Sequence, residues 1–250
     1  MRKTAFMSST IALLLSLVFV PAASAADELA EFKAKASARL HEVNPRFVVG
    51  SVEKAQLQGF YKVQLENGPL LYMAADTRYF FDGSLYQLAD KKLVNLTNLD
   101  ADKQRGELVK ELDPKEMIVF SPTEPVKTKA HINVFTDVDC GFCRKLHKEV
   151  PELNARGIEV RYMAFPRAGI GSPSYDKIVS AWCSDNPQEA LTKLKQGEPV
   201  EPKTCDNPVA KQYELGRRMG VTGTPAIILE DGTLIPGYRP AEDLAKMLGI

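Results

Sequence analysis

Leu29, Phe32, Ala36 and Leu40 recur at spacings of three and four, which places them on one face of a helix. Asn44-Pro45 marks where that helix stops. From Arg46 to about Leu88 the pattern is one of short strands. Tyr61, Val63 and Leu65 alternate with Lys62, Gln64 and Glu66, as in a half-buried strand. Asn67-Gly68 signals a hairpin before Leu70 to Met73, and Asp82-Gly83 a turn before Ser84 to Leu88. A sheet this small has little core of its own, which predicts pairing with a second copy.

Residues 98–112 read as a polar helix closed by Pro114, of the kind that bridges domains. The pattern then changes. His131 to Thr136 is a buried strand, Gly141 to Val150 a helix stopped by Pro151, and Gly157 to Ala164 a second strand. Ser174 to Gly216 is mostly helical. Ala226 to Leu229 and Thr233 to Ile235 flank an Asp231-Gly232 turn, and Ala241 to Leu248 is a last helix. The order predicts a mixed α+β and α/β chain, with the layered α/β part in the C-terminal half.

The first 25 residues stand apart. Arg2 and Lys3 precede an apolar run from Ile11 to Val20, and Ala23-Ser24-Ala25 offers a small-residue cleavage site. This is the pattern of a secretory signal peptide cut after Ala25. The segment holds two of the 32 basic residues and none of the 32 acidic ones, so the mature chain is slightly acidic. That charge gives no footprint for nucleic acid. No later run is long and apolar enough to span a membrane. The expected destination is an oxidising compartment, where cysteines pair or do redox work. Asn95-Leu96-Thr97 fits a glycosylation sequon, with nothing else to suggest a eukaryotic secretory route.

All four cysteines lie in the C-terminal half. Cys140-Gly141-Phe142-Cys143 sits where a strand runs into a helix. Residues i and i+3 of a first helical turn can close a disulfide. The first thiol meets the free N–H groups and positive dipole end of the helix, which stabilise an anion. A thiolate is the species that attacks disulfides. Asp139 should oppose its formation, while Arg144 and Lys145 support it. Cys143, one turn inside, is the more shielded resolving thiol. A structural bond between the two would stabilise little, because the loop is so short. A zinc site would need two more ligands, and Cys183 and Cys205 do not form a second C-x-x-C. No metal or cofactor is expected. Cys183 and Cys205 read as a structural pair, worth about 3 kcal/mol for a loop of about 22 residues, or else as a second redox pair. Thr224-Pro225, at a strand start, could hold a cis bond.

These stretches together point to one family. VFTDVDCGFC (134–143), RYMAFPR (161–167), SAWC (180–183), VTGTPA (221–226) and GTLIPGY (232–238) resemble the periplasmic thiol:disulfide interchange proteins of the DsbC type, within the thioredoxin-fold superfamily. The resemblance implies Cys140 as nucleophile, Cys143 as resolving cysteine, and Gly141, Phe142, Thr224 and Pro225 as the active-site loops, with a cis Pro225. It also implies a Cys183–Cys205 structural disulfide. The domains would be 26–97 for dimerisation, 98–115 as a linker helix and 116–250 as a thioredoxin-like catalytic domain with a helical insertion. The implied activity is periplasmic disulfide isomerisation with chaperone activity, in a homodimer that takes electrons from a DsbD-type membrane reductase and acts on misoxidised or unfolded secreted proteins. The rival readings are a dithiol oxidase or DsbG-like sulfenic acid reductase, and a non-enzymatic holdase. Relatives commonly carry Tyr at the position of Phe142 and His at that of Arg144, and Asp139 is unusual there. These departures bear on thiol acidity, not on reaction class.

Overall fold

A computed structural model describes residues 25–66 and 68–250. The signal-peptide reading therefore lies outside the described residues except at Ala25, and the Asn67 half of the expected hairpin turn lies outside them too. The described residues divide into two compact units, one up to Gly83 and the other Ser84–Ile250.

In the first unit, helix α1 (Ala25–Val43) ends one residue before Asn44, as its sequence predicts. It packs on an antiparallel sheet of β1 (Val49–Lys54), β2 (Phe60–Leu65), β3 (Leu70–Ala74) and β4 (Phe80–Asp82), in that order. Phe32, Ala36 and Leu40 of the predicted apolar face are buried against Val63, Leu65, Leu71 and Met73. Phe32 stacks on Tyr61 with ring centres 3.8 Å apart. Lys62 departs from the alternation: it is also buried, and its ammonium pairs with Glu53 at 2.9 Å.

The second unit opens with a hairpin of β5 (Tyr86–Ala89) and β6 (Lys92–Asn95), then helix α2 (Leu96–Lys110). The Asn95 side chain caps α2 by accepting from the Asn98 N–H, and Thr97 Oγ1 accepts from the Leu85 N–H at 2.9 Å. The helix starts earlier than its polarity suggests and ends before Pro114. Despite its polarity, the helix packs closely at two positions. Arg105 Nε–H donates to the Gly232 carbonyl at 2.9 Å, and a Cβ on Gly106 would stand 3.1 Å from the Asp231 oxygen. A Cβ on Gly232, at φ +86°, would overlap the Asp102 carbonyl. Thus α2 lies on the last hairpin of its own unit.

Five strands form the main sheet: β7 (Ile118–Phe120), β8 (Ala130–Thr136), β9 (Ile158–Ala164), β10 (Ala226–Ile228) and β11 (Leu234–Pro236). Their order is β11-β10-β8-β9-β7, with β8 and β9 parallel and the other pairs antiparallel. The unbroken burial of β8 from Ile132 to Thr136 suits a central strand covered on both faces. Helices α3 (Gly141–Lys148) and α4 (Val150–Ala155) cross from β8 to β9. Pro151 does not stop a helix, as its position had suggested. It opens α4, where a missing N–H costs nothing. The predominantly helical stretch resolves into α5 (Pro173–Trp182), α6 (Pro187–Gln196) and α7 (Val209–Arg218). Helix α8 (Ala241–Met247) closes the chain.

Candidate active site

The C-terminal end of β8 delivers Asp137, Val138 and Asp139 and then turns into α3 at Cys140. Cys140 is the N-cap residue of α3, and its sulfur accepts the Cys143 N–H at 3.4 Å. A thiol in place of the usual hydroxyl or carboxylate cap puts sulfur where the helix most favours negative charge. The Cys140 thiol also reaches the Thr224 carbonyl at 3.1 Å. The peptide bond between Thr224 and Pro225 is cis, and so is that between Glu124 and Pro125, which nothing in the sequence marks. Both thiols are free.

The two sulfurs have opposite acidities. Cys140 is lowered to about 5, chiefly because the Cys143 thiol hydrogen-bonds to it. Desolvation opposes the drop, while the Thr224 side chain, the Cys143 N–H and the charge of Arg167 add to it. Cys143 is pushed well above the thiol range by burial and by the same hydrogen bond, with Lys195 working against the rise. At neutral pH the pair therefore holds one thiolate and one thiol.

The surrounding charges differ from those expected. Asp139 is held by Lys177 at 2.9 and 3.0 Å and faces Arg144 at 3.7 Å. Arg144 donates Nε–H to the Val138 carbonyl at 3.0 Å, and Lys145 lies over the Tyr238 ring at 4.2 Å. The guanidinium that acts on Cys140 is Arg167, in the loop after β9. Asp137 anchors it: this buried carboxylate accepts from the Arg167 N–H, the Asp139 N–H and the Ser174 hydroxyl. Against the cost of burial, those hydrogen bonds hold its pKa below the usual carboxylate range. Behind α3, Lys195 is buried, and desolvation lowers it to about 8. His147 is buried between the Tyr162 hydroxyl (3.1 Å) and Thr192 Oγ1 (3.0 Å), and burial lowers it to about 4.

The structure thus brings Cys140, Gly141, Phe142, Cys143, Thr224 and Pro225 to one place. Phe142 stands 63% exposed at its rim. Cys183 and Cys205 lie apart from that place, bonded to each other with Cα atoms 5.6 Å apart. Among the described residues, no three His, Cys, Asp or Glu side chains converge as metal ligands, and no helix is long and apolar enough to cross a membrane.

Residues 22–98 match the model of the disulfide bond isomerase protein N-terminal domain, and 125–249 that of a thioredoxin-like domain. The thiol:disulfide interchange protein DsbC of Escherichia coli K12 is 38% identical over 197 residues, covering 79% of this chain and 80% of that one. The chain belongs to the DsbC family. Its Haemophilus influenzae relative is 35% identical over 237 residues, covering 93% of this chain and 95% of the other. A linker-deletion variant of Proteus mirabilis ScsC shares the fold at 17% identity and a TM-score of 0.50, over 61% of this chain and 82% of that one. Against this DsbC background, Asp137, Arg167 and Lys195 are the site residues that sequence reading missed. Asp137 and Arg167 left a trace, inside the VFTDVDCGFC and RYMAFPR stretches, and Lys195 left none.

Proposed function

We propose that this DsbC-family enzyme exchanges thiols and disulfides in secreted proteins and isomerises wrong pairings, with Cys140 as nucleophile and Cys143 as resolving thiol. The observation that carries this reading is the pairing of an acidic Cys140 at a helix N-terminus with a buried, protonated Cys143. The Cys140 thiolate attacks one sulfur of a substrate disulfide. A mixed disulfide forms and the other substrate sulfur leaves as a thiolate. That substrate thiolate, or another in the same chain, then attacks the mixed bond and regenerates Cys140. If instead Cys143 attacks, the substrate leaves reduced and the enzyme is left oxidised. The enzyme must then be reduced again, and a DsbD-type membrane reductase is the donor we assign.

The Thr224 carbonyl beside Cys140 sits where an extended substrate backbone can lie, and exposed Phe142 offers an apolar contact for unfolded chain. Gly141, Phe142, Thr224 and Pro225 form that docking rim. Cys183–Cys205 serves as a structural staple. We assign the periplasm as the compartment, residues 26–97 to pairing of two copies, 98–115 to the connector and 116–250 to catalysis. Chaperone activity belongs to the paired form.

The test is rescue of a scrambled, disulfide-rich protein by the reduced enzyme in a redox buffer. Cys140→Ser should abolish it and Cys143→Ser should slow it. Full rescue by Cys140→Ser would overturn the reading and leave a holdase.

A further inference from the structure

Lys195, on α6, is a charged group that the exchange described above leaves unused. It is 3% exposed. Its ammonium donates to Thr136 Oγ1 at 2.5 Å and to the Asp137 carbonyl at 2.9 Å, both neutral acceptors. It stands 5.9 Å from the centre of the Tyr162 ring. Lysines are almost never this buried without a counter-charge. Facing it are Cys143, Arg144 and His147 from α3, Cys140 and Asp137 from the preceding loop, and Tyr162 from β9. Among the charges that favour its protonated form, Cys143 comes first, ahead of Asp137 and Cys140. Asp137 joins the two groups physically. Its carbonyl accepts both the Lys195 ammonium at 2.9 Å and the Cys140 N–H at 3.3 Å, and the Cys140 sulfur in turn accepts the Cys143 N–H at 3.4 Å. Lys195 also lines a cavity of about 300 Å³ behind α3, with Phe120, His147 and Thr192.

We propose that Lys195 is a positioning residue for the resolving step, its buried ammonium supplying the positive charge against which Cys143 ionises within the mixed disulfide. This rests on the assignment of Cys140 as attacking and Cys143 as resolving thiol. In the step, Cys143 loses its proton and its sulfur bonds to the Cys140 sulfur. The bond between Cys140 and the substrate sulfur breaks, and the electron pair leaves with the substrate sulfur, which takes up the proton. Across the two exchanges the enzyme dithiol is oxidised by two electrons and the substrate disulfide becomes two thiols. Lys195 remains protonated throughout. Its charge sets how often a trapped substrate departs reduced rather than staying to be rearranged.

Stopped-flow reaction of the full-length reduced protein with dithiobis-nitrobenzoate separates the two steps. The first thionitrobenzoate leaves as Cys140 attacks, at a rate set by reagent concentration. The second leaves as Cys143 resolves, at a rate independent of it; this probe departs ionised and the buffer takes the proton. Lys195→Met should slow the second release about tenfold at pH 7, equal to about one unit in the Cys143 ionisation. The gap from the wild type should narrow above pH 8, where the native lysine itself loses its charge. Lys195→Arg should restore fast resolution and carry it past pH 8. A folded Lys195→Met that resolves within twofold of the wild type overturns the proposal. So does a Lys195→Arg protein whose second release flattens near pH 8 as the wild type does, which keeps the test alive if the methionine variant fails to fold. Cys143→Ala must lose the second release altogether. If it does not, the assignment of Cys143 fails instead, whatever Lys195 does.

Discussion

Asp137 and Arg167 clasp the loop that delivers Cys140. The Asp137 carboxylate, with its side chain 2% exposed, accepts the Arg167 backbone N–H at 2.9 Å and its Nε–H at 3.2 Å. The other arm of the guanidinium reaches the Asp139 carbonyl at 3.3 Å. One buried carboxylate thus fixes the charge that favours the Cys140 thiolate. Arg167→Gln should move the Cys140 titration upward by about 1 unit, the lower end of what a neighbouring charge supplies. Thiolate absorbance followed against pH reads the midpoint directly. An unmoved midpoint would mean that the helix and the Cys143 hydrogen bond suffice.

The acidity of Cys140 also makes stability depend on pH. Its thiol is lowered from an ordinary value of 9.0 to about 5. Between those values the unfolded chain holds a proton that the folded one has released. Stability of the reduced protein must therefore rise with pH across that window, by at most about 1.4 kcal/mol per unit. It is lost as pH falls through about 5. Cys143, raised by burial, stays protonated throughout the window and adds no slope. The oxidised protein has neither thiol and should lack this component. Denaturant titrations of both redox forms at pH 5 and pH 8 give the comparison, and equal pH dependence of the two forms would contradict it.

The Cys183–Cys205 bond spans 22 residues between the end of α5 and the loop before α7. A double Cys183→Ala, Cys205→Ala variant should lose about 3 kcal/mol of stability on the chain-entropy account. Its Cys140 should alkylate near the native rate, because Cys143, Thr224 and Arg167, which lower the Cys140 thiol most, all lie outside that loop. Chemical denaturation and timed alkylation test the two halves of this expectation. A large fall in alkylation rate would tie the bond to the site.

Gly232→Ala should loosen α2. The new methyl would overlap the Asp102 carbonyl, and the residue would be held at φ +86°, where a side chain is strained. A cost of about 1–3 kcal/mol is expected. Hydrogen exchange should rise along α2 first, with the β8–β9 core still protected. Uniform loss of protection would show instead that α2 and the sheet unfold together.

The dithiol was legible because its physics is local: four consecutive residues, a strand ending and a helix beginning. The sheet of the second unit was legible for a similar reason, since β8 and β9 are short segments rich in strand-forming residues on either side of a crossover. Arg167 and Lys195 were not, because a lysine late in a polar helix reads as solvated until α6 is seen to press it against Thr136. Pro151 misled because a proline signals the end of one helix and the start of the next equally well. The polar positions of α2 gave no sign of its packing on the last hairpin; Gly106 was the sign, a glycine inside a helix whose bare Cα permits the approach of Asp231.

The Asn95 amide and the Thr97 hydroxyl are both occupied at the start of α2, one on the Asn98 N–H and one on the Leu85 N–H. Both residues belong to a triplet that eukaryotic oligosaccharyltransferases read. Produced through a eukaryotic secretory pathway, the chain would meet that transferase before α2 had formed, and a sugar on Asn95 would then compete with the cap. The remedy is a substitution the helix already tolerates chemically. Asn95→Asp supplies the same acceptor oxygen, leaves no amide to modify, and brings a negative charge to the helix start, so the expression host ceases to matter for this end of the domain.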